Sequence, residues 1–441
     1  MANLLKGYER GGEDVVGNSP GEGLPKPSDV YKFHVSYPAL NGPVKSCFQR
    51  RGVMPTLPFD KRCVFQFATR TKSTFKRIHS HTMVGSNFFL HSGICDKAKL
   101  ATVLQQHCNE HGITPCIVPS PTMVGSDYTS LAKHIYRLST DSERMAQAAE
   151  TPWCLKASNV NNSLGVKFYP NLQALTSDLR RFLATVKDKS YLIQPYIRNT
   201  LKYRSRKCHV RVNVLVVGGS AHVYVHRDCV VHVAASVAAA DADDFDDDRV
   251  HITNHANQSK ADGRALTLAD LEADAQIIGL ADHLFSVVCN GVRQVFGALE
   301  GRGDLFLPVE NSFELFGADF LVVEESPGAS SVERYGCRLL EINSGPGLEG
   351  RVDLTLCESI VDDTLKIVFD PWYNALRRAS ASPGDLDLWQ QLDTPPASVP
   401  DRYHYLGALA SNGEASPFLV SKAFEEYASR LYQFAMEGED E

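Results

Sequence analysis

Two oxygen-bearing side chains, Glu341 and Asn343, stand two residues apart at the polar end of an apolar run in LLEINSGPG, residues 339–347. Because side chains alternate along a β-strand, Glu341 and Asn343 are expected on one face, while Leu340 and Ile342 point into the core. The Ser-Gly-Pro-Gly sequence that follows predicts a turn that ends the strand and lets the backbone approach a ligand. On its own, the pair fits a solvated strand end equally well.

A further candidate ligand is Asp319, which lies among phenylalanines in FELFGADFLVVEE, residues 313–325. A lone carboxylate in a buried strand is costly unless it is paired, hydrogen-bonded or bound to a metal. Asp319, Glu341 and Asn343 together offer two carboxylates and an amide, the oxygen set that Mg²⁺ uses while phosphates complete its octahedron. The chemistry indicated is therefore a magnesium–phosphate site.

Cations for a phosphate ligand are predicted on a β-hairpin. In HVRVNVLVV, residues 209–217, valines alternate with polar residues, and a Gly-Gly-Ser turn leads into AHVYVHR. This alternation places Lys207, His209 and Arg211 on one face, which suits phosphate, although a solvated polar face is an equal alternative. Lys156, at a strand end in WCLKASNVNNSLGVKFY, precedes a small-residue loop and is a second candidate that lacks the Walker spacing.

Composition limits the class of protein. The 441 residues are 43% hydrophobic, which is enough for a sizeable core in two or three domains. No apolar run approaches the ~18–20 residues of a membrane span and no signal-peptide core is present, so a cytoplasmic protein without a membrane partner is expected. Eleven scattered cysteines without a CxxC motif predict reduced thiols. The net charge of −7 argues against nucleic acid as a partner.

Charge is distributed unevenly along the chain. Residues 45–81 carry nine Lys or Arg and one acid, and residues 198–211 carry six Lys or Arg and no acid. Such strips are either solvated faces or a docking surface for an acidic partner. The residues predicted to guide an acidic tail are Arg70, Lys72, Lys76 and Arg77. The acidic run DADDFDDD, residues 241–248, is too charged to pack and predicts a flexible loop insertion. A calcium site is the alternative, against which the missing spacing and glycine of an EF-hand argue.

The elements that must position these residues mix strands with helices. Amphipathic helices are predicted in LATVLQQHCNEHG, LQALTSDLRRFLATV and ADLEADAQIIGLADHLFSVVCNGVRQVF, and short β-branched strands lie between them. The fold class expected is α+β or α/β. PFLVSKAFEEYASRLYQFAME, residues 417–437, predicts a terminal amphipathic helix.

Seven segments, taken in order, resemble the tubulin tyrosine ligase and tubulin tyrosine ligase-like family. They are CLKAS with Lys156, YLIQPYI at 191–197, KCHVR at 207–211, VYVHR at 223–227, HITNH at 251–255, FELFGADF at 313–320 and LLEINSGPG at 339–347. The resemblance implies an ATP-grasp fold with a smaller N-terminal α/β domain. Within the matched region, it implies the first part of the ATP-grasp fold (83–185) and the C-terminal ATP-grasp domain (186–375). Composition and pattern predict a flexible N-terminus (1–29), a basic N-terminal domain (30–82), a linker (376–402) and a C-terminal helix (403–441).

The resemblance also implies ATP-dependent carboxylate–amine ligation. ATP phosphorylates a carboxylate, and the amine of a free amino acid attacks the acyl phosphate to form an amide. Such a reaction needs Mg²⁺ and fixed cations rather than a protein nucleophile. By motif position, the Mg²⁺ ligands would be Asp319, Glu341 and Asn343, and the catalytic residues would be Arg211, Glu341 and His232. The ATP-binding residues would be Lys156 and Lys207, an adenine hinge of Gln194, Tyr196 and Ile197 whose backbone reads the base, and His209, Thr253 and Asn254.

Two histidines depart from the family pattern. In the segment KCHVR the family usually has Asp where His209 stands. After the second hairpin strand the family commonly has Gly and then Arg, whereas this chain has Cys229 and His232. His232 is therefore predicted near the transferring phosphate, where an imidazole supplies positive charge only when it is protonated.

The first functional hypothesis is a tubulin-modifying ligase that adds tyrosine to the C-terminus of detyrosinated α-tubulin. The acidic tubulin tail fits the two basic strips, and the enzyme would act in the cytoplasm or on microtubules. Two alternatives stay open. One is glutamylation or glycylation of a tubulin tail, and the other is a catalytically impaired pseudoligase that binds tubulin or another partner.

Overall fold

The structure is a computed structural model. The residues it describes are 31–37, 40–79, 83–116, 122–139, 151–160, 165–237, 245, 247–253, 265–325, 332–348, 353–379 and 399–409. Helices and strands alternate in a mixed α+β arrangement, as the sequence predicts. In this part of the chain, none of the helices combines the length and the apolar composition needed to cross a membrane.

A large sheet of twelve strands forms most of the molecule. Its strands are β1 (Lys32–Ser36), β2 (Met54–Pro55), β3 (Cys63–Ala68), β4 (Val84–Ser86), β9 (Lys202–Tyr203), β10 (Arg206–Val217), β11 (His222–His226), β12 (Val230–Val233), β13 (Leu266–Thr267), β14 (Ser312–Glu324), β15 (Tyr335–Asn343) and β16 (Tyr403–Ala408). The main path runs β13-β12-β10-β14-β4-β3-β1-β2, with β15 on β14, β9 and β11 on β10, and β16 on β11. The two long strands, β10 and β14, are therefore neighbours at its centre.

A separate sheet of four strands lies between β4 and β9 in the chain. Its strands are β5 (Met123–Gly125), β6 (Trp153–Ala157), β7 (Val166–Tyr169) and β8 (Tyr191–Pro195), in the order β5-β8-β6-β7. All of its pairings are antiparallel. Lys156 lies near the end of β6, as its segment predicts.

The helices follow the sequence pattern with one interruption. They are α1 (Asn41–Arg50), α2 (Phe75–His79), α3 (Ser92–Cys95), α4 (Lys97–His111), α5 (Tyr128–Ser139), α6 (Leu172–Thr185), α7 (Asp248–His251), α8 (Leu268–Ala275), α9 (Leu280–Leu299), α10 (Leu354–Val368) and α11 (Asp370–Ala379). The long helical pattern that begins at residue 269 divides into α8 and α9. Gln276 and Gly279 both have left-handed backbone between the two helices, which ends the first and starts the second.

Each sheet has a core of its own, and Leu192 of β8 in the small sheet also joins a core of the large sheet. The valines of β10, such as Val212 and Val214, join α4 and α9 in one core of the large sheet. Phe48 of α1 and Phe369 pack edge to face within a second core of that sheet. The small sheet has a core of its own, in which Leu175 of α6 is fully buried.

Two domain predictions require correction. Residues 403–408 do not belong to a C-terminal helix, because they form β16 and pair with β11. The boundary predicted between residues 185 and 186 separates β8 from β5 and β6, with which it pairs. The strands of the predicted N-terminal domain, β1, β2 and β3, continue the large sheet through β4 to β14. The predicted flexible N-terminus and the helix over residues 417–437 lie outside the described residues.

Candidate active site

Three neighbouring strands bring charged residues into one row. Arg211 of β10 lies opposite Asp319 of β14, and Asp319 lies opposite Glu341 of β15. Arg211 donates two hydrogen bonds to Asp319, from Nε at 2.5 Å and from Nη2 at 2.7 Å. Asn343 Nδ2 is 3.2 Å from Glu341 Oε1 and 3.4 Å from Asp319 Oδ2. The three predicted metal ligands and Arg211 therefore converge.

A β-bulge in β15 corrects one expectation from the alternation pattern. The pairing passes from Phe320 opposite Leu339 to Asp319 opposite Glu341, which leaves Leu340 as the extra residue. Leu339 and Ile342 are buried in the core, whereas Leu340 lines a cavity. The bulge thus turns one apolar side chain towards the site and keeps Glu341 beside it.

Asp319 stays ionised in spite of its burial. Desolvation alone would raise the pKa of this carboxyl group, which is 3% exposed, but Arg211 and His209 outweigh desolvation and hold the pKa well below its usual range. In turn, the carboxylate offsets the desolvation of Arg211 and raises the pKa of the guanidinium. The SGPG turn lies against the same guanidinium, because a Cβ on Gly347 would collide with Arg211 Nη1. Gly347 also has φ +68°, which favours glycine.

A cavity of about 830 Å³, open mouth included, lies beside this row and is lined by both sheets. Most of the residues predicted to bind ATP or metal line it. They are Lys156, Gln194, Tyr196, Ile197, Lys207, His209, Thr253, Asp319 and Glu341. Arg211 and Asn343 adjoin the cavity through Asp319, and Asn254 lies outside the described residues.

The carboxylates and amide fit a magnesium ion. Within the described residues, no three His, Cys, Asp or Glu side chains form a metal cluster, so a protein-only cage is not present there. Mg²⁺ is usually held by one or two carboxylates plus substrate phosphates and water, which matches Asp319 and Glu341 beside an open cavity. The amide of Asn343 turned over would present its oxygen in place of its nitrogen.

Lys97 is a site residue that the sequence analysis missed. It begins α4, is 8% exposed, and brings Nζ to 3.0 Å from Glu341 Oε2. The same ammonium donates to the carbonyl oxygens of Ser158 and Val160, beside the small sheet. Lys97 therefore links the metal-side carboxylate to the loop after β6. Nothing in the local sequence of Lys97 distinguishes it from a surface lysine.

Lys207 occupies an unusual position on the cavity wall. Its Nζ lies 3.9 Å from the centroid of the Tyr196 ring. Desolvation, together with repulsion from Lys156, lowers the pKa of Lys207 to about 7. A phosphate placed between the two lysines would raise the pKa of Lys207 again, because its negative charge would offset both the desolvation and the repulsion from Lys156.

An aromatic wall closes one side of the cavity. Tyr196, Phe168, Phe245 and His251 pack ring against ring, with Phe245 stacked on His251 at 5.2 Å between centroids. Tyr196 Oη and His251 Nδ1 are 2.8 Å apart. Phe245, from the acidic run, is buried and packs against Tyr196 and His251 behind this wall. His251 belongs to the HITNH segment, but only Thr253 and Asn254 of that segment were predicted to act.

The three residues predicted to form an adenine hinge, Gln194, Tyr196 and Ile197, all line the cavity. Gln194 is buried at the end of β8, and its Nε2 lies 3.2 Å from Thr122 Oγ1. The backbone N–H of Tyr196 donates to the carbonyl oxygen of Pro152. It already has a hydrogen-bond partner within the protein and is therefore not available to an adenine base. Tyr196 contributes its ring instead, and Ile197 follows it on the cavity wall.

The two departing histidines form a stacked pair, with centroids 4.8 Å apart. His209 faces the cavity, where Nδ1 lies 2.6 Å from Thr253 Oγ1 and Nε2 lies 3.5 Å from Asp319 Oδ1. His232 lies opposite His209 on β12, is 4% exposed, and does not line the cavity. Of the two, His209 therefore lines the cavity and His232 lies behind its ring, so the phosphate contact predicted for His232 stays a prediction.

Two of the four side chains predicted to guide an acidic tail, Arg70 and Arg77, make hydrogen bonds within the protein. Arg70 donates to the carbonyl oxygen of Phe89 at 2.6 Å and contacts His91 Nε2 at 3.1 Å. Arg77 donates to the carbonyl oxygens of Pro58 and Cys63. Lys72 and Lys76 are exposed.

Comparisons with known proteins agree with this geometry. The tubulin-tyrosine ligase family matches residues 77–374. Tubulin glycylase 3B of Drosophila melanogaster is 24% identical over 49% of this chain and 29% of its own length. The probable tubulin–tyrosine ligase PBY1 of Saccharomyces cerevisiae is 27% identical over 52% of this chain and 29% of its own length. The chain thus spans under a third of either relative.

A solved structure establishes the fold. The C-terminal domain of Pby1 from K. lactis, described as an ATP-grasp enzyme interacting with the mRNA decapping enzyme Dcp2, superposes with a TM-score of 0.60. It is 17% identical, and the match covers 86% of this chain and all of that domain. The central sheet, the four-stranded sheet and the cavity between them are accordingly an ATP-grasp fold. This chain belongs to the tubulin-tyrosine ligase family.

Proposed function

We propose that the protein is an ATP- and Mg²⁺-dependent ligase that joins a free amino acid to a carboxylate of tubulin. The observation that carries the proposal is the row Arg211–Asp319–Glu341 beside a cavity with Lys156 and Lys207 on its wall. Carboxylate activation needs a metal, fixed cations and a site for the nucleotide, and this arrangement supplies a residue for each of them.

The residues have separate roles in this proposal. Asp319, Glu341 and Asn343 hold Mg²⁺, which neutralises the charge of the phosphates. Lys156 and Lys207 contact the phosphates, and the aromatic wall packs against the base. Arg211, fixed by its two hydrogen bonds to Asp319, faces the transferring phosphoryl group. Because the guanidinium is already oriented, little reorganisation is needed when charge develops.

We propose tyrosine as the amino acid and the C-terminus of detyrosinated α-tubulin as the acceptor, which implies action in the cytoplasm at microtubules. Glycylation is the second candidate, because one of the relatives reported above is a tubulin glycylase of Drosophila melanogaster. The test is to incubate the protein with detyrosinated tubulin, Mg-ATP and each labelled amino acid in turn. Tyrosine incorporation into α-tubulin supports the first candidate. Glycine incorporation supports the second, and no incorporation of any amino acid contradicts both.

The substitution Glu341→Gln tests the chemistry. Glu341 is partly exposed, so the neutral isostere leaves the fold intact while it removes a metal-ligand charge. We expect ligation to fall by at least about 100-fold, the scale on which fixed electrostatic groups act. The matched control is Glu358→Gln, which removes the charge of a partly exposed glutamate of α10 that pairs with Arg50. Equal ligation by the Glu341→Gln variant and the wild type would contradict the assignment.

A further inference from the structure

Three large apolar side chains are exposed within six residues at one edge of the large sheet. Met54 is 57% exposed, Leu57 is 56% exposed and Phe59 is 77% exposed. Across the described ranges, eight large hydrophobic side chains are exposed, so three of the eight lie in this stretch alone. Single exposed apolar residues are ordinary, whereas a contiguous group marks an interaction surface. We call residues 54–59 the apolar loop.

The apolar loop is held in one shape by hydrogen bonds. The N–H of Thr56 donates to the carbonyl oxygen of Phe33 at 2.7 Å, and the carbonyl oxygen of Thr56 lies 2.9 Å from His34 Nδ1. On the other side, Arg77 of α2 donates to the carbonyl oxygens of Pro58 at 2.9 Å and Asp60 at 3.0 Å. A surface that is already ordered loses little entropy when a partner binds.

The position of the loop separates it from the active site. It contains β2, the edge strand of the path β14-β4-β3-β1-β2, so four strand spacings, or about 19 Å, lie between it and β14. Pro55 and Pro58 have no N–H, so the edge cannot readily accept an added strand. A partner would therefore be recognised by its side chains rather than by extension of the sheet.

The charges around the loop are positive. Lys61 and Lys76 are exposed, and Lys76 lies on α2 next to Arg77, which contacts the loop. Asp60 is engaged by Arg62, which donates from Nε to Oδ1 at 3.0 Å and from Nη2 to Oδ2 at 2.9 Å. Between residues 45 and 81, Asp60 is the one acid, and its charge is already paired.

We propose that the apolar loop is a docking surface for an acidic protein segment that carries apolar anchor side chains. Met54, Leu57 and Phe59 bury the anchors, and Lys61 and Lys76 attract the acidic residues around them. Complementary charge speeds association and selects the partner, while burial of aromatic and aliphatic anchors supplies most of the affinity. A protein segment is favoured over an anionic membrane because the chain as a whole carries a net charge of −7.

The test uses a random peptide library displayed on phage and the full-length protein as bait. We expect the enriched peptides to combine Asp or Glu with Leu or aromatic residues. A synthetic copy of an enriched peptide should bind the wild type, and the double substitution Leu57→Ser with Phe59→Ser should weaken binding by at least about tenfold. The substitutions Lys61→Glu and Lys76→Glu should also weaken binding and flatten its salt dependence.

The matched control is Ile278→Ser, which changes an exposed apolar side chain (94% exposed) between α8 and α9. It should leave peptide binding unchanged, and ATP binding should be unchanged in all variants, since none touches the cavity. Equal enrichment on the wild type and the double variant would overturn the proposal, as would enrichment of basic peptides. Loop-dependent dimerisation in sedimentation velocity, or loop-dependent binding to phosphatidylserine vesicles with no peptide enriched, would also overturn it.

Discussion

The protonation state of Lys207 is expected to change when a ligand binds. Its ammonium lies over the Tyr196 ring, and desolvation with repulsion from Lys156 lowers the pKa to about 7. At pH 8, therefore, a large share of Lys207 is neutral before any ligand binds. An anionic phosphate favours the charged form, so binding should draw a proton onto Lys207.

We predict that Mg-ATP binding between pH 7 and 9 takes up protons through Lys207. The sign follows from a pKa that is near 7 in the free protein and rises beside phosphate. Isothermal titration calorimetry in buffers of different ionisation enthalpy measures the uptake. The substitution Lys207→Arg should abolish uptake while keeping affinity, because guanidinium stays charged at these pH values. The control is Lys187→Met, which removes an exposed cation just after α6, outside the cavity wall. Unchanged uptake in the Lys207→Arg variant would show that Lys207 does not titrate on binding.

The histidine pair shows how precisely a sequence motif can place a residue relative to the cavity. The sequence pattern put both His209 and His232 near phosphate, and only His209 faces the cavity. His232 is buried behind the ring of His209, so an arginine at position 232 would bury a guanidinium instead of supplying a phosphate contact. The sequence alone could not separate the two, because both lie on predicted strands of the same sheet.

At the scale of elements, alternation along a strand was the most informative signal. It predicted the hairpin β10–β11 and the shared face of Lys207, His209 and Arg211 because one face of β10 is apolar throughout. It failed at Leu340, since a bulge depends on the register with β14 and not on the bulged strand alone. Lys97 was missed for a related reason: its contact with Glu341 joins segments more than 240 residues apart.

The strand β16 is attached to the sheet by a buried acid on α10. Asp363 is 1% exposed, and three side chains converge on it. They are His226 Nε2 at 3.4 Å, Lys366 Nζ at 2.8 Å and Arg402 Nε at 3.0 Å. Burial opposes ionisation, yet these partners lower the pKa of Asp363 to about 2. Arg402 directly precedes β16, so this acid joins α10, β11 and β16.

We predict that Asp363→Asn lowers the free energy of unfolding by about 1–3 kcal/mol at pH 7. The loss is smaller than for a fully buried ion pair, because Lys366 and Arg402 are half exposed and water screens their charges. A carboxyl group with a lowered pKa stabilises the fold above its unfolded pKa of 3.8 and loses that effect as pH falls towards 2. The difference between variant and wild type should therefore shrink between pH 4 and 2 in urea unfolding. The control Asp282→Asn removes an acid that is 87% exposed and should change stability by under about 0.5 kcal/mol. A pH-independent difference would contradict the ionic role of Asp363.

At the scale of the whole molecule, the cavity lies between the small sheet and the large sheet. Lys156 and Gln194 come from the small sheet, and Lys207, Asp319 and Glu341 come from the large sheet. The small sheet has its own core, whereas the contact Phe48–Phe369 packs α1 against the end of α10 within a core of the large sheet. A ligand in the cavity contacts both sheets and should therefore couple their stabilities.

The last prediction tests that coupling with Leu175→Ala, a change in the small core, followed by hydrogen exchange and mass spectrometry. Leu175 is fully buried on α6, so its truncation should cost about 2–5 kcal/mol. Because Leu175 packs in the core that includes Leu155 of β6, Tyr169 of β7 and Ile193 of β8, exchange should accelerate in these strands and change little in β10 and β14. Mg-ATP at 100 times its dissociation constant should then add about 2.7 kcal/mol of stability and slow exchange in both sheets.

A second variant distinguishes coupling through the cavity from a general effect of nucleotide. Combining Leu175→Ala with Glu341→Gln should leave the accelerated exchange of the small sheet in place. Mg-ATP should then slow that exchange less than in the single variant, because the weakened metal site lies on β15 of the large sheet. Equal acceleration in β14 and β8 without nucleotide would show that the cores are not independent. Protection confined to the large sheet on adding Mg-ATP would show that the small sheet does not contact the ligand, and the roles proposed for Lys156 and Gln194 would then be wrong.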